Sequence, residues 1–591
     1  MKLINPNGLK RNIALGVLLL ATFAASADSI VSSWFTTYAG KYARIYTTDV
    51  NRTNGTSATT WNNGTQNQAT PAYSGVQEVY SSTNWVYVRS TGLGAHVMGP
   101  WYLNAGHTTA FPNYPLNQKL FWRFPRTNAI PATKTQTGLG TIGLFVDGVA
   151  MFDSSDGFVW TGSAESGSGT GYWHREAYAN EGVTFDPGYA HQEQTGTHHY
   201  HANPIALRYL LGDHVDFNST TKIYSESTNT ATKHSPILAW VRDGLPLYGP
   251  YGYSTATNPA SGVRRMLSGY QLRNGQNGTD NLTNTARATI PAWAQRLYSV
   301  AAAQAGPAIS ATYPIARYME DYAYLADLTN AATGTNYRQG LEFDLNEYNV
   351  RYCVTPEFPG GTYAYFTSIE SNGTPKYPNN LGRAYYANPT GTSITTISET
   401  VATNFLGNTN LTDKLNGIAV SNNLVTLTWS AIEGGGYRVD ASTNLTAWTA
   451  IASNVAPTQI VGSYTDATAL NSRFYRATRT SVAAFDNAGT TTFSAGGGGS
   501  TSVAPGGSAS RGTTNTVTIT ITAPPMLPPA NAPITSVTLA GTIVGTSVSY
   551  PSSGTVIATF AIPANAPTGA QNIVVQFTMP SYTLTGGFTI N

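Results

Sequence analysis

Two Asp-Gly pairs, each set between apolar runs, constrain this chain most. Ile142 to Val146 leads into Asp147-Gly148 and out through Val149 to Phe152. Pro236 to Arg242 leads into Asp243-Gly244 and out through Leu245 to Tyr248. Asp-Gly supplies the positive φ angles of a tight two-residue turn, so each stretch is predicted to be a β-hairpin. Strand signals recur at Val76 to Tyr80, at Trp85 to Arg89 with Val86 and Val88 on one face, and at Tyr363 to Phe366. The 58 glycines and 36 tyrosines, with abundant Thr and Asn, suit strands joined by many turns. The predicted fold is mainly β: a large N-terminal β-rich domain with one or two helices, followed by two small β-sandwich modules. One helix is placed at Pro291 to Gln304, where Trp293, Leu297, Val300 and Ala301 share a face ahead of Gly306-Pro307. A shorter one is placed at Glu320 to Leu328.

A chain of 591 residues is long for one domain. Residues 1–27 are predicted to be a secretory signal peptide. Lys2, Lys10 and Arg11 form its basic part, Ile13 to Ala25 its short apolar run, and Ala25-Ser26-Ala27 a cleavage site before Asp28. The expected location is therefore secreted or at the cell surface, with no integral span once the signal is removed. The large domain is read over 28–390, its first stretch to about 72 being loop-heavy. A Thr- and Asn-rich linker follows over 391–415. A β module over 416–482 has strands at Val425 to Trp429, Tyr437 to Asp440, Trp448 to Ile451 and Phe474 to Ala477. A Gly/Ser-rich linker over 483–512 contains Gly496 to Gly499. The last module, 513–591, shows Val517, Ile519 and Ile521 alternating with Thr. The segment from Gly434 to Trp448 resembles the fibronectin type III-like modules of secreted bacterial proteins, and 513–591 looks immunoglobulin-like. Neither small module contains a histidine, so spacing or attachment to a surface or matrix is their expected role.

Charge excludes one class of partner. Only 10% of residues are charged and the net charge is +2, which leaves no basic stripe for nucleic acid. Cys353 is the sole cysteine. It is read as a small buried hydrophobe, and no disulfide can support an exported fold.

Chemistry concentrates in one place. Seven of the nine histidines, 174, 191, 198, 199, 201, 214 and 234, fall within 61 residues. In a strand, His199 and His201 would project to one face about 6.6 Å apart along the chain. Two imidazoles so placed can converge on one metal ion, but a third ligand must come from elsewhere. His191 and His234 are the candidates, and Asp243 could add an oxygen, although its place in a hairpin turn explains it fully and ahead of ligation. His198 and Tyr200 would point to the opposite face. A divalent transition metal, copper or zinc, is the expected cofactor. Its affinity should fall as pH drops through about 6.5, the ordinary imidazole value. His174 reads as a neighbour packed on Trp173, and His214 as peripheral. Glu193, Asp344 and Glu347 are acids with no assigned place.

Gly196-Thr197-His198-His199-Tyr200-His201 with Asn203-Pro204, then His234-Ser235-Pro236 and Asp243 to Tyr251, resembles the YHYH family, named for a Tyr-His-Tyr-His tetrad. Trp85 to Leu93, Gly140 to Val149 and Val354 to Phe366 are further similar pieces, so the resemblance runs over roughly 75–390. One departure stands out: the first Tyr of the tetrad is His198 here. The resemblance implies a domain more than an activity. No Gly-x-Ser-x-Gly elbow, phosphate loop or His-Glu-x-x-His is present. Two expectations stay open: a metal-binding protein, with or without enzymatic activity, and a non-enzymatic surface or adhesion protein that binds a small molecule or glycan through Trp and Tyr.

Overall fold

The computed structural model describes residues 28–36 and 41–407. Between 412 and 591 it describes all but 414, 423, 433, 459–460, 468–472, 482–484, 494–499, 504–507, 523–533, 553–554 and 578–580. The expected signal peptide and the Gly496 to Gly499 run lie outside the described residues. With 40% of the described residues in strands and 8% in helices, the protein is mainly β.

The site rests on an eight-stranded mixed sheet. Its strands in chain order are β1 (Gly143–Phe145), β2 (Ala150–Met151), β3 (His191–Gln192), β4 (His198–Tyr200), β5 (Ile237–Val241), β6 (Pro246–Tyr248), β7 (Val350–Cys353) and β8 (Thr362–Phe366). Across the sheet they run β3-β4-β2-β1-β5-β6-β8-β7. Both Asp-Gly hairpins form: β1 pairs antiparallel with β2 and β5 with β6. Gly148 and Gly244 hold φ of 83° and 78°, a region costly for any residue with a Cβ. The close-packed hairpins carry a continuous apolar core of Leu144, Phe145, Val149, Leu238, Trp240 and Leu247, each at most 2% exposed.

A second, antiparallel sheet packs on that core. Val76–Ser81, Trp85–Ser90 and Leu120–Pro125 form its centre. Val86 and Val88 share one face, as the alternation predicts, and join Leu144 and Val146 in a single cluster. Its edges come from further along. Thr392–Ser393 pairs with Leu120–Pro125, and Ala402–Leu406 with Val76–Ser81. Much of the stretch read as a 391–415 linker therefore completes this sheet. Its Thr and Asn line exposed strand faces, which carry little apolar signal, while Ile397 is fully buried. The expected 483–512 linker is likewise docked in part. Phe485 stacks on Tyr73 at 4.0 Å, Asp486 pairs with Lys119 at 3.1 Å, and Thr492–Phe493 pairs with Thr396–Ile397.

The helices differ from expectation. Ala292–Tyr298 is helical but ends at Ser299, whose φ is 56°, so Val300 and Ala301 leave the predicted face. Glu320 to Leu328 is not an α-helix. Tyr322–Tyr324 is a strand paired with Tyr270–Leu272 between two short 3-10 turns. There the aromatic rings pack into a satellite core around Trp173, Trp293 and Tyr377, and that packing outweighs helical periodicity. C-terminal to 412, two further sets of sheets each enclose their own core, one around Trp429 and Val439 and one around Val537 and Phe560. Among the described residues no helix is long and apolar enough to cross a membrane.

Candidate metal centre

β3 and β4 are short, but their register places the chemistry. His191 faces His199 across the antiparallel pair, and β4 is held on its other side by β2, with His199 opposite Ala150. His201 follows one residue past β4. Because strand side chains alternate, His199 and His201 leave on one face, and the cross-strand neighbour His191 joins them. The next residues anchor the strand's exit. Asn203 Oδ1 accepts from Arg208 Nη1 at 3.0 Å, and the buried Arg208 guanidinium pairs with Glu226 and Asp213.

The hydrogen bonds at the far side of each ring fix its tautomer. His199 Nδ1 lies 2.8 Å from the Thr197 carbonyl, and His201 Nδ1 lies 2.5 Å from the Asp153 carbonyl. A carbonyl only accepts, so each Nδ1 carries the proton and each neutral Nε2 presents a lone pair. His191 Nδ1 lies 2.7 Å from Thr184 Oγ1, whose hydroxyl donates to the Glu181 carbonyl at 2.7 Å. Thr184 therefore accepts from His191, and the same tautomer follows. The three imidazoles present ligand atoms within 4.8 Å of one another. His199 Nε2 and His201 Nε2 stand 3.1 Å apart.

A fourth group reaches this cluster. Glu181 ends a short helix, α1 (Ala177–Glu181), that runs into the turn holding Thr184. Its Oε2 is 3.3 Å from His201 Nε2 and 3.8 Å from His191 Nε2. Both Glu181 Oε2 and His191 Nε2 are buried without a hydrogen-bond partner. Metal–ligand bonds near 2.0–2.1 Å in a tetrahedron put neighbouring donors roughly 3.3 Å apart, close to the 3.1 and 3.3 Å separations here. The histidine side chains 191 and 201 are 5% and 3% exposed, and although the Glu181 side chain is 28% exposed, the Oε2 that faces the cluster is itself buried. Aromatic rings wall the rest. Phe152 stacks on His199 at 3.8 Å, and Phe185 meets His191 edge-on at 4.8 Å.

Burial sets the protonation states. Desolvation, then the neighbouring imidazoles, hold His191 and His199 well below the usual histidine range, and desolvation takes His201 down to about 4. Burial, reinforced by Asp156, lifts Glu181 to about 8. The imidazoles are thus neutral across physiological pH, as ligation requires. Of these four groups, the one that titrates near neutrality is Glu181.

Two expected ligands lie elsewhere. His234 packs against Tyr248 and Tyr253, its Nδ1 2.8 Å from the Ser235 carbonyl. Asp243 holds its own turn: its carboxylate accepts from Leu245 N, Ala387 N and Tyr365 OH. Both are close to the histidine group in sequence, yet β5 and β6 carry them to the other half of the sheet. His174 binds Glu320, and His214 meets Tyr251 edge-on. Glu193 caps the turn at Thr195 and Thr197, and Asp344 and Glu347 pair with Arg264 and Arg296. Sequence reasoning missed Glu181 and Thr184. Glu181 ends a five-residue helix and Thr184 the single 3-10 turn after it, elements too short to show periodicity, and nothing but their place seven to ten residues ahead of His191 pointed to them.

The fold and site define a class: a β-rich protein whose buried imidazoles, held in one tautomer, could hold a metal ion. Residues 121–378, the segment carrying these groups, match the family described as YHYH protein. A comparison with curated proteins finds no match.

Proposed function

We propose that His191, His199, His201 and Glu181 bind one divalent transition metal ion, copper or zinc, and that the large domain is a metal-binding domain. One observation carries the reading. Two Nε2 lone pairs stand 3.1 Å apart while both Nδ1 protons are committed to carbonyls, so two neutral rings repel unless a cation lies between them. Three imidazoles and a carboxylate suit copper and zinc alike. When bound, the ion supplies positive charge and Lewis acidity there. The carbonyls of Thr197 and Asp153 and the hydroxyl of Thr184 hold the rings on target. Phe152 and Phe185 keep water from the imidazoles, and Glu181 gives up its proton to ligate.

Elemental analysis and zinc titration of the full chain test this. One equivalent at this site, lost in His201→Ala and in Glu181→Ala but kept in His234→Ala, is the expected result. Parent protein without stoichiometric metal would leave the alternative, a non-enzymatic surface protein binding a glycan or small molecule. The support for that alternative is a cavity of about 250 Å³ lined by Lys134, Tyr270, Trp293, Arg296, Glu347 and Tyr348, whose ring and charge mixture suits a polar ligand. The chain acts outside the cytoplasm, a reading supported by the basic and apolar segments ahead of Asp28. Its C-terminal β modules then serve as spacers or attachments. N-terminal sequencing of exported protein should begin near Asp28, and a start at Met1 would refute export by cleavage.

A further inference from the structure

The reverse face of β4 carries a second group of the same kind. His198 leaves the strand opposite to His199 and meets His96 and Asp186, and these three present ligand atoms within 4.8 Å of one another. All three are buried, at 0%, 5% and 2% exposure. His96 Nε2 stands 3.6 Å from Asp186 Oδ2, beyond hydrogen-bond reach and near the spacing of two donors on one ion. Both ring nitrogens of His96 and both of His198 lack a hydrogen-bond partner. Four orphaned imidazole nitrogens buried together are costly, since an unpaired buried polar group loses the hydrogen bonds that water would give it.

The surroundings fit a cation. Asp186 is fixed rather than adaptable: Oδ1 accepts from Gly188 N at 2.8 Å and Ala190 N at 3.1 Å, and Oδ2 accepts from Gly99 N at 2.7 Å. Two glycines keep space around His96. A Cβ on Gly188 would stand 2.6 Å from His96 Nε2, and one on Gly94 would stand 2.9 Å from His96 Nδ1. Tyr200, the next side chain on this face, sits beside both rings with its hydroxyl unpartnered. Asp147 Oδ2 is also unpartnered. Two imidazoles and one carboxylate are a donor set for a divalent first-row metal.

We propose that His96, His198 and Asp186 form a second divalent transition-metal site, on the face of β4 opposite the first, so that one strand separates two metal centres. The site depends on the residue in which this chain departs from its family's tetrad: with Tyr in place of His198 the group would keep a single imidazole. The proposal is independent of the first centre, because none of its three ligands is shared.

The test is metal stoichiometry of the full chain, stripped with chelator and titrated with zinc(II) and with cobalt(II), whose visible bands report coordination. The parent should take up two equivalents, His198→Phe and His96→Asn one each, and His201→Ala one. In His198→Phe, the cobalt spectrum of the remaining equivalent should be that of the three-histidine centre. If that equivalent persists, the variant has folded. Anomalous scattering at the zinc edge from crystals of the parent gives a check that needs no substitution, with peaks expected on both faces of β4. A parent that binds one equivalent, lost in His201→Ala and kept in His198→Phe, would overturn the second site. One equivalent lost in His198→Phe and kept in His201→Ala would uphold it while refuting the first. No uptake by the parent would overturn both.

Discussion

Replacing Thr184 by Val removes one hydroxyl and almost no volume, yet it should weaken metal binding markedly. The hydroxyl donates to the Glu181 carbonyl and accepts the Nδ1 proton of His191, both at 2.7 Å. Val cannot accept. His191 is 4% exposed, so water does not replace the lost acceptor. The free protein can relax by moving the proton to Nε2, but that tautomer has no lone pair for the ion. Binding must then restore a buried, unpaired Nδ1–H, at about 1–3 kcal/mol. At about 1.4 kcal/mol per factor of ten, zinc affinity should fall roughly 5- to 150-fold, within the span usual for groups that orient a ligand. Competition with a chromogenic chelator at fixed pH measures it. Thr184→Ser, which keeps the acceptor, should bind within about twofold of the parent. If Val binds like the parent, or if Ser is as weak as Val, Thr184 does not set the His191 tautomer and the ligand geometry drawn for this centre is wrong.

Asp243→Ala should cost stability without touching metal. Its carboxylate serves three buried donors, and leaving them unpaired should lower unfolding free energy by about 3 kcal/mol or more in urea titration, with uptake in elemental analysis unchanged. Metal-free protein should lose stability between pH 6.5 and 8. Burial raises Glu176 to about 7 and Glu181 to about 8, so in this window the folded carboxyls keep protons that the unfolded chain has already released. Stability held below the unfolded carboxyl value, near 4.5, is lost through the folded values, and at about 1.4 kcal/mol per pKa unit the two carboxyls contribute a decline of roughly 2–3 kcal/mol over this window, offset in part by His191, His199 and His201, which are neutral when folded and lose their protons in the unfolded chain here, at about 0.4 kcal/mol each. Saturating zinc should remove the Glu181 share, and urea curves at the two pH values with and without zinc check the sign. In the same samples zinc binding at pH 7 should release about one proton, from Glu181, and no net release in a weakly buffered dye assay would contradict its role as a ligand.

The residues that speak through local chemistry were legible in the chain. Asp147-Gly148 and Asp243-Gly244 specify hairpins because a turn's φ angles depend on two adjacent residues. His199 and His201 share a face because strand alternation is a property of the backbone itself, and the same rule sends His198 to the other side. The density of histidine marked the region. What the chain alone left undecided was which distant groups arrive there. His191 is a partner through the register of β3 on β4, whereas His234, similar in its sequence surroundings, is carried off by β5. Glu181 and Thr184 come from one short helix and the turn that follows it, and His96 from a segment about 100 residues before His198. The helical periodicity at Glu320 to Leu328 gave way to ring packing, and the Thr-rich stretch after 391 became a sheet edge. In each case the deciding term is long-range: strand pairing and the burial of apolar and polar groups depend on which surfaces meet, and that exists only once the two sheets have closed on their common core.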